Sequence, residues 1–237
     1  MISIIIPVYN QADKISDTLR SIESQTFRDF EVIIINDGSK DNIDEVVGQF
    51  TKENSSEISY LFINQENKGA PAARNRGFKE SSGEFLFFCD ADATLVPDAL
   101  DLMYKALEQN QEAAYAYSSF YWGKKVFKVG NIDAEKLKKA PCIHTMSLVR
   151  QRDFPMSGWD DSIKKFQDWD LWLTIFKEKG KLGVFINKAL FSVSPGGSMS
   201  SWLPSFAYKY FPFLPAVKSY NNALTIVKEK HEIFFEK

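Results

Sequence analysis

Apolar and polar positions along this chain fall in blocks. Residues 2–6 are apolar but for Ser3, which predicts a short strand buried on both faces. Residues 12–25 follow with Ile15, Leu19 and Ile22 at helical spacing. Residues 30–35 repeat the buried-strand pattern and end at Asn36-Asp37-Gly38-Ser39. A helix is expected next, with Val46, Val47 and Phe50 turned inward. Residues 58–63 read as a third strand, 69–79 as a helix, and 84–89 as a fourth strand that ends at Asp90. Pro97 is placed as the first residue of the following helix. This alternation predicts a parallel sheet covered by helices on both faces. The pattern breaks at 113–120 and 122–129, which predict an antiparallel hairpin across Gly123 and make the sheet mixed. Residues 166–179 form a strong helical pattern closed by Gly180. The tail from Trp202 is aromatic, then helical from 215 to 235. With no Pro-, Gly- or Ser-rich linker, the 237 residues read as one domain of two lobes with a C-terminal extension.

Charge narrows the partners. The net charge is −2 and the isoelectric point near 5.8, so there is no basic footprint for nucleic acid. Cys89 and Cys142 make no Cys-x-x-Cys pair or metal-finger spacing, which fits a reducing compartment. The apolar start, Met1 to Pro7, lacks a basic leader and a cleavage site and is not read as a signal peptide. No apolar run approaches the ~18 residues of a membrane span.

Chemistry is expected at the strand ends, because open parallel sheets bind ligands beyond the carboxyl ends of their strands. Each of the first four strands ends in polar residues: Pro7-Val8-Tyr9-Asn10, Asn36-Asp37-Gly38-Ser39, the run 64–69, and Asp90-Ala91-Asp92. Two carboxylates after a buried strand are hard ligands suited to Mg²⁺ or Mn²⁺. The plainer reading is a turn that caps the next helix. Asp37 can accept from a base N–H or a ribose hydroxyl, or can simply form an Asp-Gly turn. Lys68 and Arg74 can neutralise phosphate or pair with Asp37, whereas Arg76 is assigned to a solvated face. The glycines nearby match neither a phosphate-binding Walker loop nor a dinucleotide fingerprint.

A further candidate lies in Gln167-Asp168-Trp169-Asp170-Leu171-Trp172. Helical spacing groups Asp168 with Leu171, Trp172 and Ile175, facing inward. Asp170 groups with Thr174 and Lys177, facing outward or capping the helix. An inward carboxylate at a helix start is either a cap or a general base.

These motifs resemble, in order, the inverting family-two glycosyltransferases. They are Ile6-Pro7-Val8-Tyr9-Asn10, Asn36-Asp37-Gly38-Ser39, Asn67-Lys68-Gly69 with Ala73-Arg74-Asn75, Asp90-Ala91-Asp92 and Gln167-Asp168-Trp169-Asp170-Leu171-Trp172. The likeness runs from Ile4 to about residue 200. It implies a GT-A fold, a Rossmann-like α/β architecture with a mixed sheet. Residues 1–110 would form the nucleotide-binding lobe, 111–200 the acceptor lobe and 201–237 an aromatic and helical extension. It implies a nucleotide pocket from Pro7, Tyr9, Asn10, Asp37, Lys68 and Arg74. Asp90 would lie near the ribose, Asp92 with Asp90 would hold Mn²⁺ or Mg²⁺, and Asp168 would be the catalytic base. The expected donor is a nucleotide-diphosphate sugar, UDP-linked before others. The expected acceptor is a hydroxyl of a glycan or lipid-linked molecule, as in cell-surface polysaccharide synthesis. The expected location is cytoplasmic, at most peripheral at the inner face of the membrane.

The chain departs from the family at two places. Gln167 stands where relatives more often carry Glu. Ser192 and Ser194 fall where relatives show a Tyr-Arg pair and a His that contact diphosphate or metal. His144 is assigned either to the acceptor cleft or to structure. The aromatic segment 202–214 is read as packing over the acceptor cleft or as a dimer contact, in preference to a membrane contact. A sugar-nucleotide pyrophosphorylase is the rival enzyme, but it needs a Gly-rich basic loop where Pro7-Val8-Tyr9-Asn10-Gln11 stands. An inactive nucleotide-sugar-binding relative is the rival without catalysis.

Overall fold

The computed structural model describes residues 1–54, 58–194, 210–211 and 213–233. The first half alternates as expected: β1 (Ile2–Val8), α1 (Ile15–Glu23), β2 (Phe30–Asn36), α2 (Ile43–Asn54), β3 (Ser59–Asn64), α3 (Ala70–Glu80) and β4 (Phe85–Phe88). Next come β5 (Ala93–Leu95), α4 (Ala99–Gln109), β6 (Tyr115–Trp122), β7 (Lys125–Phe127), α5 (Ala134–Lys139) and β8 (Leu148–Arg150). The last elements are α6 (Gln167–Lys179), β9 (Gly183–Val193) and α7 (Pro215–Lys230).

Among the described residues, one sheet runs β3-β2-β1-β4-β8-β6-β9-β5, with β7 hairpinned onto β6. Strands β3, β2, β1 and β4 are parallel, β1 pairing with β2 from Ile2↔Phe30 to Val8↔Asn36. Strand β8 runs antiparallel to both β4 and β6. The sheet is therefore mixed, as the interrupted pattern predicts. The central strands lack polar alternation because both faces are covered. Ile4, Ile6, Val32, Ile34 and Phe87 pack with α1, α2 and α4 on one side. Ile5, Ile33, Leu86 and Phe88 pack with α3 and α6 on the other. Gly77 lets α3 approach β1 closely, since a Cβ there would overlap the Ile5 side chain. That approach brings the start of α3 to the sheet's carboxyl edge.

Three boundaries differ from expectation. Pro97 does not begin α4; it lies in a turn before Asp98 and Ala99. The chain after Asp92 first forms β5, which pairs antiparallel with β9, and this delays the helix. Phe166 is not helical: it holds a left-handed conformation with φ 61° immediately before α6. The last helix closes at Lys230, with His231 and Glu232 in a turn. Residues 234–237 and most of 202–214 lie outside the described residues. Among the described residues, no helix is long and apolar enough to cross a membrane.

Candidate active site

The carboxyl ends of β1, β2 and β4 open into a cleft of about 900 Å³, within the range of small-molecule sites. Pro7 and Tyr9 from β1, Asp37 from β2 and the triplet Asp90-Ala91-Asp92 after β4 all line it. The end of β3 acts through Asp37. One Asp37 oxygen accepts from Gln65 Nε2 (2.8 Å) and Lys68 N (2.9 Å), and the other from Gly69 N (2.8 Å). The carboxylate thus knits the loop before α3 to the sheet. Gly38 permits this closeness, because a Cβ there would meet Asn67 N at 2.8 Å, and its φ of +73° suits glycine. Lys68 and Asn10 stand outside the cleft lining. Asn10, at φ 52°, accepts from Lys40 N (2.8 Å) and donates its own N–H to Ser39 Oγ (3.0 Å). It braces the neighbouring loop.

The Asp90-Ala91-Asp92 turn is held from below. The Thr18 hydroxyl donates to Ala91 O (2.8 Å) and Ala93 N to Asp90 O (3.1 Å). Asp92 is mostly covered, and Lys14 Nζ stands 4.0 Å from it. Burial lifts the Asp92 carboxyl above the ordinary aspartate range; the Asp90 charge adds to this and Lys14 opposes it. Two half-buried carboxylates on one turn are hard oxygen ligands that suit a divalent cation. Mg²⁺ needs only one or two carboxylates once substrate phosphates complete its shell. Among the described residues, no group of three His, Cys, Asp or Glu side chains comes together as a metal cage.

Arg74 ties this turn to α6. It is 7% exposed, and its Nη2 reaches Asp90 Oδ1 (3.4 Å) while Nη1 donates to Gln167 Oε1 (3.1 Å). Its guanidinium lies 4.8 Å from the centre of the Trp159 ring. Asn75 grips the Trp159 backbone from both sides, donating to its O (2.8 Å) and accepting from its N (2.7 Å). Gln167 therefore keeps a contact with Arg74 but brings no charge to it. The Nε of Arg74 is buried with no hydrogen-bond partner among the described residues.

Asp168 lines the cleft on the first turn of α6. One carboxylate oxygen accepts from Trp169 N (2.8 Å), and the second has no hydrogen bond from a described residue. Burial raises its carboxyl above the usual range, opposed by the nearby His144 and Arg74 and reinforced by Asp90. A base with a raised pKa and a spare oxygen is equipped to take a proton.

Two placements were not legible in the sequence. His144 stands beside the triplet, with Nε2 3.8 Å from Asp90 Oδ2. Its Nδ1 accepts from Met146 N (3.1 Å), so Nε2 carries the proton and faces the carboxylate. Phe120 and Phe191 pack against its ring. No motif marks it, because long-range packing brings it there. Asp170 is the second case, and here the expectation of an outward or capping residue is wrong. Asp170 is buried, accepting from Lys230 Nζ (2.9 Å) and facing His231 Nε2 (2.8 Å). The helical period of α6 gives no sign of α7, whose last residue and following turn supply the two partners. Of the departing residues, Ser192 pairs with Thr94 in the sheet, and Ser194 lines the cleft beside Val193. Residues 195–200 lie outside the described set.

The pattern of Glycosyl transferase family 2 matches residues 3–155. The chain belongs to that family. A GalNAc(5)-diNAcBac-PP-undecaprenol beta-1,3-glucosyltransferase of Campylobacter jejuni is 28% identical, the alignment covering 97% of this chain and 77% of that protein. Mannosyltransferase PcManGT from Pyrobaculum calidifontis, solved with GDP-Man and Mn²⁺, superposes at a TM-score of 0.69 with 17% identity, over 96% of this chain and 75% of that one. S. aureus TarS 1-349 in complex with UDP gives 0.66 with 17% identity, over 98% and 72%. At such identities the likeness shows the fold, which is GT-A. The chain spans about a third of the length of three uncharacterised Rickettsia glycosyltransferases that it also matches.

Proposed function

We propose that this chain transfers a sugar, with inversion, from a nucleotide-diphosphate sugar to a hydroxyl of a glycan or lipid-linked acceptor. The observation that carries this reading is the gathering of Asp90, Asp92, Arg74, His144 and Asp168 in one cleft at the carboxyl edge of the sheet. Pro7, Tyr9 and Asp37 form the nucleotide side. UDP is the preferred nucleotide of the donor, since TarS is seen in complex with it, and the Campylobacter relative's name supports a lipid-linked acceptor; cell-surface polysaccharide synthesis is the fitting process. The cytoplasm, at most peripherally at the inner face of the membrane, is the fitting location.

Asp168 takes the proton of the acceptor hydroxyl as its oxygen attacks the anomeric carbon. The bond to the diphosphate breaks on the opposite face. Arg74 and His144 lie on the Asp90 side of the cleft, where negative charge grows on the departing group, and fixed cations and donors there stabilise it. Asp92, with Asp90, would hold Mn²⁺ or Mg²⁺; when bound, the ion supplies Lewis-acid neutralisation of the leaving diphosphate.

The test separates the two carboxylate roles. Asp168→Asn should lower kcat by about 10²–10⁴-fold while UDP affinity, measured by titration calorimetry with Mn²⁺, stays unchanged. Asp92→Ala should abolish the gain in UDP affinity that Mn²⁺ gives. Normal turnover in the first variant would remove the base assignment, and an undiminished Mn²⁺ effect in the second would remove the ligand assignment. No transfer or donor hydrolysis by the native chain would favour a binding relative instead.

A further inference from the structure

Asp168 and Asp170 share the first turn of α6 but serve opposite sides of it. Asp168 lines the cleft, whereas Asp170 is turned toward α7. The Asp170 and His231 side chains are each only 5% exposed, and they meet at 2.8 Å. A carboxylate only accepts, so His231 Nε2 donates; its Nδ1 is buried with no hydrogen-bond partner among the described residues. Lys230 bridges Asp170 (2.8 Å) and Asp160 (2.7 Å). These contacts tie the C-terminal end of α7 to the start of α6.

The other end of α7 reaches the cleft. Ala216, Ser219 and Tyr220 line it. Ser219 Oγ accepts from Lys165 Nζ (3.0 Å). The Tyr220 ring meets Phe166 edge-on at 5.0 Å. Phe166, at φ 61° and ψ 33°, holds a conformation that is an outlier for a bulky residue. Such strain persists only where the surroundings over-determine it. Two rings meet Phe166 edge-on, Trp169 of α6 at 6.3 Å and, closer, Tyr220 of α7, and the next residue but one after Phe166 is Asp168. All of α7 lies beyond residues 3–155, the part matched to the family.

We propose that α7 is a positioning element of the transfer site. Asp170, Lys230 and His231 dock it; Tyr220 then holds Phe166 in its left-handed conformation, which sets Asp168 at the start of α6. The docked helix also lines the cleft through Ala216, Ser219 and Tyr220. Asp170, His231 and Tyr220 are positioning residues here, acting through Asp168. The inference rests on the reading of Asp168 as the base.

The test uses the full chain and three readouts: kcat, acceptor KM, and UDP affinity with Mn²⁺. His231→Ala should lower kcat by about 10²-fold, the scale of a small misplacement of a reacting group, with UDP affinity unchanged. His231→Gln should restore most of the loss, because its amide can donate to Asp170. Tyr220→Ala should repeat the loss by a second route, with Tyr220→Phe close to native. In an Asp168→Asn background, His231→Ala should add no further loss. A His231→Ala enzyme with native kcat, while Asp168→Asn is inactive, overturns the role of α7 alone. So does an additive loss, or a loss of UDP affinity in step with turnover, which marks a merely structural helix. Native turnover in Asp168→Asn removes the base reading, and the route through Asp168 with it.

Discussion

Strands β1, β2 and β4 deliver their site residues by continuation of the chain: Pro7, Asp37 and Asp90 stand at or just past a buried strand. The side built from β6, β8, β9, α6 and α7 works differently. His144 comes from a loop before β8, Asp168 from the start of a helix, and Tyr220 from an element more than fifty residues further on. In the first region, main-chain ladders and the Asp37 cradle fix the geometry, and each bond is local to the sheet edge. In the second, side chains hold side chains: Arg74 to Gln167, His144 against Phe120, Lys230 to Asp170. On the proposed function, the first arrangement couples donor binding to the stability of the sheet. The second can be disturbed with the sheet intact, so its faults should show in turnover.

The widest effect belongs to the second region. Asp168→Asn, with its ~10²–10⁴-fold fall in kcat, should leave the urea midpoint of unfolding near native; a large drop in stability would erase the contrast. Next is the sheet interior. Ile33 is fully buried between the central strands and α3, and Ile33→Ala should cost about 2–5 kcal/mol in urea unfolding. The folded fraction should keep its kcat, and a selective loss of turnover would contradict the division. Asp37→Asn lies at the border. Its amide would face the N–H groups it now accepts from, and the loss should be about 1–3 kcal/mol, accompanied by weaker UDP binding. Unchanged stability would mean that the loop stands without the cradle.

The mildest effect is on pH. Burial raises the Asp168 carboxyl, and a base must be unprotonated to act. Turnover at saturating donor should therefore fall, as pH drops, at a value above the ~3.9 of an ordinary aspartate. In Asp168→Asn that limb should vanish from the residual rate. An acid limb at or below the ordinary value would remove the effect of burial at this residue.

Much of the first region was legible in the chain. Unbroken apolar blocks must be buried on both faces, and parallel strands place their polar ends at one edge, so the convergence of Pro7, Asp37 and Asp90 follows from periodicity. The order of motifs carried the family likeness. Short strands were not legible: β5 has three residues and β8 has three, too few for a period to show. Both exist because a distant strand offers hydrogen bonds, and β5 displaced the helix start expected at Pro97. The helical wheel of α6 turned Asp168 inward, where it lines the cleft, but sent Asp170 outward. A wheel knows only its own helix, and a buried carboxylate is stable where a partner from elsewhere compensates it.

The sequence by itself determined the alternation, the parallel core, the polar strand ends and the family. Those depend on local propensity and on hydrophobic burial, which are written residue by residue. Tertiary structure alone decided that His144 stands beside Asp90, that Gln167 meets Arg74, and that Asp170 grips Lys230 and His231. These contacts join residues far apart in the chain. Their energies depend on distance and desolvation, which exist only once the fold has brought the partners together.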